Sequence, residues 1–201
     1  MLQAKELGRG AARSWTTLAI GMAAGLAFAW PAAAGGLIFV RTDILAGQLW
    51  RLWTGHLVHF TANHLLWDLA VFLPAGVWLE WVTPRGARWF YLLAPPTISL
   101  LLFFSDPALS RYAGLSGLAT GLLVLLALVQ LQRDAHEPAW FWLGVLLLVA
   151  VKIVVESVTH APLVVRFDVE VRTVPLAHIG GVGCAVAAFL IWRQSARRRA
   201  A

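Results

Sequence analysis

Long apolar runs divide the chain at about residues 15–40, 56–79, 88–105, 114–132, 139–158 and 176–192, each closed by a charge or by turn residues. A run of about 18 apolar residues is enough to cross a hydrocarbon layer as a helix, so the pattern predicts six membrane helices. The first run contains Pro31 and Gly35-Gly36, which predicts a helix over 15–34 and a long outer loop over 35–55 carrying Arg41, Asp43 and Arg51. Residues 159–175 form the next longest polar connection. There Arg166, Asp168, Glu170 and Arg172 alternate with apolar residues, as in a short strand, a surface lid or a plain solvated loop. The expected fold is all-α, one polytopic six-helix membrane domain over 1–201.

Composition supports the bilayer as solvent. Of 201 residues, 60% are hydrophobic and 13% charged, and mean hydropathy is +0.74; soluble chains run at about 45–50% apolar and about 25% charged. The net charge of +6 does not point to nucleic acid, because the basic residues cluster at the chain ends and in short connections. With a cytoplasmic N-terminus, ten Lys/Arg fall inside (Lys5, Arg9, Arg13, Arg85, Arg88, Arg133, Arg193, Arg197, Arg198, Arg199) and five outside (Arg41, Arg51, Arg111, Arg166, Arg172). That excess fits an even number of spans with both ends in the cytoplasm. A basic start, an apolar core from Trp15 and Ala32-Ala33-Ala34 also fit a cleaved signal peptide, which intact-mass measurement distinguishes. The single cysteine, Cys184, leaves no intrachain disulfide and no thiolate metal cluster.

Ionisable groups inside spans are expensive and mark candidate sites. Here they share one depth. His56, His59 and His64 lie in the outer part of the second span, Gly114-Leu115-Ser116-Gly117 opens the fourth, and Ala177-His178 opens the sixth. A serine hydroxyl is a weak nucleophile until a base within hydrogen-bond reach takes its proton, and His178 is the candidate base for Ser116. Gly114, Gly117 and Gly121 on one helix, with Gly180, Gly181 and Gly183 on the other, allow the close approach this needs. Acyl transfer also needs donors for the oxyanion, for which His64 and the Ser116 backbone N–H are candidates. His64 and Asp68 are four apart and share a helix face, whereas His59 points elsewhere unless the helix begins after it.

Taken together, Trp50-Arg51, His59-x-x-x-x-His64-x-x-x-Asp68, Gly114-Leu115-Ser116-Gly117 and Ala177-His178-Ile179-Gly180-Gly181 resemble the rhomboid intramembrane serine proteases in order and in helix assignment over about 50–185. The stretch from Gly47 to His56 and the Lys152/Glu156 pair look most like the rhombosortase branch. The resemblance implies a six-helix rhomboid bundle in a bacterial-type inner membrane, its site toward the outer leaflet. It also implies Ser116 as nucleophile, His178 as general base, His64 with the Ser116 backbone as oxyanion hole, and Trp50 and Arg51 in a membrane-embedded outer loop. It implies no cofactor or metal. The implied partner is a membrane segment, or a C-terminal sorting tail of Gly-Gly, a hydrophobic helix and basic residues. Two positions depart from the family pattern: Asp68 where most members have an Asn donor, and Thr120 where many have a Tyr that stacks on the base. An ionised Asp68 would repel an oxyanion, so it is expected to be a neutral donor or, as the rival, paired with Lys152. Lys152 and Glu156, one turn apart, read as an intrahelical ion pair, with Glu156 as an orienter of His178 the alternative.

Competing chemistries use the same residues. A rhomboid-like protein without activity could bind membrane segments; a haem could be held by His64 and His178, giving a Soret band; a transporter could use Asp68, Lys152 and Glu156. No His-Glu-x-x-His stands in the chain for a zinc protease, and no inverted repeat for a transporter.

Overall fold

A computed structural model describes residues 15–133, 137–159 and 174–200. Helix α1 (Trp15–Ala29) is followed at once by the short α2 (Pro31–Leu37), bent from it by 118°. The break has a covalent cause. Pro31 has no N–H to continue the ladder and pushes Trp30 out of the helical region, to φ −123° and ψ 77°. The straight part of the first helix therefore ends at Ala29 rather than near Ala34. The outer loop then holds α3 (Arg41–Leu45), α4 (Arg51–Thr54) and a single 3₁₀ turn over Gly55–Leu57.

The second span also starts later than hydropathy suggested. Helix α5 runs over Ala62–Val82, because extended Thr61 caps it: the Thr61 hydroxyl accepts the His64 backbone N–H at 3.1 Å. Helix α6 (Pro84–Ser105), α7 (Ser116–Gln132), α8 (Ala139–Thr159) and α9 (Pro175–Ala200) complete the bundle, the last running past the predicted end at 192. Four of these, α5, α6, α8 and α9, are long and apolar enough to cross a bilayer, and the bent α1–α2 pair passes the same test together. Helix α7 is the sixth. Its 17 residues reach about 26 Å, short of a hydrocarbon core of about 30 Å.

The core sits around α7, which packs on α5, α6, α8 and α9 and buries most of its residues. Lipid-facing surfaces are large and apolar: Trp15, Met22, Leu66, Trp89, Leu147 and Val158 are all exposed, as expected where the solvent is hydrocarbon. Helix α8 is the extreme case. Its buried residues are Trp142, Val149 and Glu156, a stripe at seven-residue spacing. Strands β1 (Phe39–Val40) and β2 (Arg111–Tyr112) pair antiparallel, Phe39 opposite Tyr112, and tie the outer loop to the segment before α7. The connection over 160–173, with His160, Arg166, Asp168, Glu170 and Arg172, lies outside the described residues, as does His136.

Candidate active site

Glycine brings the two site helices into backbone contact. A β-carbon on Gly117 would lie 2.8 Å from the Ala177 carbonyl oxygen, and one on Gly121 would lie 2.6 Å from that of Gly181. One on Gly181 would overlap the Gly117 carbonyl. Such contacts leave no room for any side chain, which is the physical content of the Gly117-x-x-x-Gly121 spacing. The half-buried Ser116 is the first residue of α7 and stands one residue from this contact; His178, 5% exposed, stands one residue from it on α9.

His178 is engaged on its other ring nitrogen. Glu156 Oε2 lies 3.0 Å from His178 Nδ1 and accepts from Lys152 Nζ at 2.7 Å, so the expected ion pair is present and its carboxylate is shared. Lys152 Nζ itself comes within 3.4 Å of His178 Nδ1. The pairing of Asp68 with Lys152, the rival expectation, is replaced: the partner of Lys152 is Glu156 on its own helix, and Asp68 faces two imidazoles.

Because α5 begins after it, His59 folds back over the first turn instead of pointing away. Its Nε2 lies 3.1 Å from Asp68 Oδ2, and His64 Nε2 lies 3.4 Å from the same oxygen. His59 Nδ1 is 3.2 Å from the Leu57 carbonyl, which can only accept, so Nδ1 carries a proton. The Asp68 carboxyl is thus tied to imidazoles rather than standing alone beside the Ser116 layer. The Leu115 N–H reaches His59 Nε2 at 3.3 Å and ties the backbone before Ser116 to this pair. Gly114 makes the approach possible. Its φ is +120°, and a β-carbon there would meet His64 Nε2 at 2.7 Å and Asp68 Oδ2 at 3.3 Å.

The outer loop is held from within. Buried Arg51 donates to the Gly35 and Ile38 carbonyls at 3.0 and 2.6 Å and to Gln48 Oε1 at 2.8 Å, and pairs with Asp43 at 2.8 Å. Trp50 is exposed, its indole N–H on the Gly36 carbonyl. Both belong to the loop's framework and not to the Ser116 layer. Pro96 leaves the Leu92 carbonyl without its helical donor, and the Trp53 indole supplies one at 2.9 Å. His56 is wholly buried; burial pushes its imidazole down to about 4, so it stays neutral and donates from Nε2 to the Pro95 carbonyl at 3.0 Å.

Ser116, His178, His64, Asp68, His59, Gly114 and Gly117 thus gather in one layer, where His64 and His178 are close enough to interact electrostatically. Thr120 is buried one turn further along α7. Sequence reasoning passed over Tyr112. It is 3% exposed, its hydroxyl donates to the Gly114 carbonyl at 3.2 Å, and the Ser116 side chain is within hydrogen-bond reach of it. Burial drives its phenol well above the ordinary value, so it is a permanent donor. Its position two residues before Gly114-Leu115-Ser116-Gly117 was the available signal; a two-residue strand is too short to show periodicity. Donor atoms of His59, His64 and Asp68 lie within 4.8 Å of one another, a set that could hold a cation; His59 Nε2 already meets Asp68 Oδ2 and the Leu115 N–H. The family model of the Rhomboid domain matches residues 46–195. No curated protein matches the chain.

Proposed function

Since the chain belongs to the rhomboid family, whose members are generally intramembrane serine proteases, we propose that it cleaves a peptide bond in or near a membrane segment by a Ser116/His178 dyad. The observation that carries this reading is the backbone contact of Gly117 with Ala177 and Gly181, which brings a helix-initiating serine and a buried imidazole to one level. Ser116 Oγ attacks the scissile carbonyl as His178 Nε2 takes its proton. The oxyanion is met by His64 and the Ser116 N–H, and Tyr112 and the His59/Asp68 pair hold the surrounding backbone. His178 then returns the proton to the leaving amine. Water repeats the sequence on the acyl-enzyme.

A serine at the first turn of a helix buried in the bundle suits a substrate segment that unwinds to reach it, so helix-poor, glycine-containing segments are the substrates of choice. The Gly47–His56 stretch and the Lys152/Glu156 pair support the rhombosortase branch, and with it a C-terminal Gly-Gly, hydrophobic and basic tail on an exported protein. The Lys/Arg distribution supports both termini in the cytoplasm of a bacterial-type inner membrane, with the site toward the outer leaflet, and 1–201 as one membrane domain. Ser116→Ala and His178→Ala should each abolish cleavage of a co-expressed tail substrate, and Ser116→Ala should also remove fluorophosphonate labelling, with folding in detergent preserved. Chelators should change nothing. Cleavage by Ser116→Ala, or EDTA inhibition reversed by zinc, would overturn the serine mechanism. Asp68 and Thr120 favour a second reading, an inactive binder of membrane segments, for which wild type would take up no probe while retaining substrate.

A further inference from the structure

Helix α8 has few reasons to turn a carboxylate inward. It is mostly lipid-facing, and its inward stripe of Trp142 and Val149 ends in Glu156, 3% exposed. An ion pair with Lys152 alone would be served equally well by a carboxylate nearer the surface, on the side where Lys152 is 28% exposed. Instead the same oxygen, Oε2, lies 2.7 Å from Lys152 Nζ and 3.0 Å from His178 Nδ1. We propose that Glu156 is a positioning residue for His178, converting the dyad into a Ser-His-Glu arrangement, with Lys152 compensating the carboxylate's charge in the apolar bundle. The proposal rests on the reading of Ser116 and His178 as nucleophile and base.

The argument turns on what can stand at Nδ1. A base must keep Nε2 bare toward Ser116, so the neutral imidazole must carry its proton on Nδ1. Glu156, at 3.0 Å, can only accept and selects that tautomer. Lys152, at 3.4 Å, can only donate and selects the opposite one. The carboxylate occupies the lysine and keeps it from Nδ1. When His178 takes the Ser116 proton on Nε2, the Nδ1 proton remains in its hydrogen bond to Glu156 and the imidazolium gains a counter-ion; no proton passes to the glutamate.

Removing the carboxylate should therefore do more harm than removing both charges. Glu156→Ala frees Lys152 to donate to Nδ1 and should lower kcat by about 10⁴, the cost of a wrong tautomer, with KM little changed. Lys152→Met in that background removes the donor and should restore kcat at least about tenfold. Glu156→Gln must turn its amide oxygen to Lys152, keeps an acceptor at Nδ1 and loses only the charge, so its kcat should lie between wild type and Glu156→Ala. A structural ion pair predicts none of this: kcat per folded molecule would be that of wild type in all three. Wild-type kcat in Glu156→Ala, or in Glu156→Gln should the alanine variant not fold, overturns the proposal, as does a double variant no faster than Glu156→Ala. Ser116→Ala is run alongside: if it still cleaves, the protease reading has failed, whereas an inert Ser116→Ala beside a fully active Glu156→Ala sinks only the role of the glutamate.

Discussion

Replacing Gly114 with alanine tests the site more severely than replacing any hydrogen-bonding group near it. The new β-carbon would stand 2.7 Å from His64 Nε2 and 2.8 Å from its Cε1. Ordinary carbon contacts lie at about 3.5–4.0 Å, so the imidazole or the backbone must give way by roughly 0.7 Å or more. Backbone relief is blocked as well, since φ is +120°, a region that costs an alanine about 1–2 kcal/mol. Donors to an oxyanion must be placed to within about 0.5 Å, so this displacement is equivalent to losing His64 and should lower kcat by about 10²–10³. Gly144 is the internal control. It lies within α8 with nothing within 4 Å of its would-be β-carbon, so Gly144→Ala should leave kcat unchanged and stabilise the protein by about 0.5–1 kcal/mol. The assay is cleavage of a tail substrate in detergent, read as kcat and KM, beside the thermal midpoint of each variant. A Gly114→Ala enzyme with wild-type kcat refutes the reasoning, because it would mean that His64 need not be where it is.

His64→Ala removes the same donor without strain and should lower kcat by about 10²–10³ while sparing fluorophosphonate-site folding; an unchanged kcat would make His64 purely structural. Asp68→Asn keeps a hydrogen-bonding group of the same shape beside His59 Nε2 and should retain activity, whereas Asp68→Ala leaves the imidazoles without their shared partner and should lose it; equal activity in both would remove Asp68 from the site. Reporter fusions after Arg85 should read cytoplasmic and those after Asp106 periplasmic, and the reverse pattern would put the Ser116 layer at the inner face.

Much of this was legible beforehand. Hydropathy and charge marked the spans, and spacing placed Ser116, His64 and His178 at one depth. What hydropathy cannot register is where the backbone turns helical. The apolar run from 56 conceals a 3₁₀ turn and the Thr61 cap, and so His59 was put on a helix it precedes. Pairing of Asp68 with Lys152 stood as the rival reading because spacing gives depth along a helix but not which helices face each other. The inward stripe Trp142, Val149, Glu156 was hidden for a related reason: in a span whose lipid face is as apolar as its core face, no polar side exists to reveal the buried one. Tyr112 depended on a two-residue pairing with a segment more than seventy residues earlier, beyond any local pattern.

The backbone contact of Gly117 and Gly121 with Gly181 also dates the site within the life of the molecule. Ser116 leaves the ribosome 62 residues ahead of His178, an interval of about 3–12 s at about 5–20 residues per second. Throughout that time the growing chain carries its hydroxyl on α7 with no imidazole partner from α9. With the proposed Ser116/His178 dyad, hydrolytic competence is withheld until the final helix is threaded into the bilayer. On that mechanism a chain halted before Ala177 should be membrane-inserted but chemically silent toward the neighbouring proteins inserted beside it.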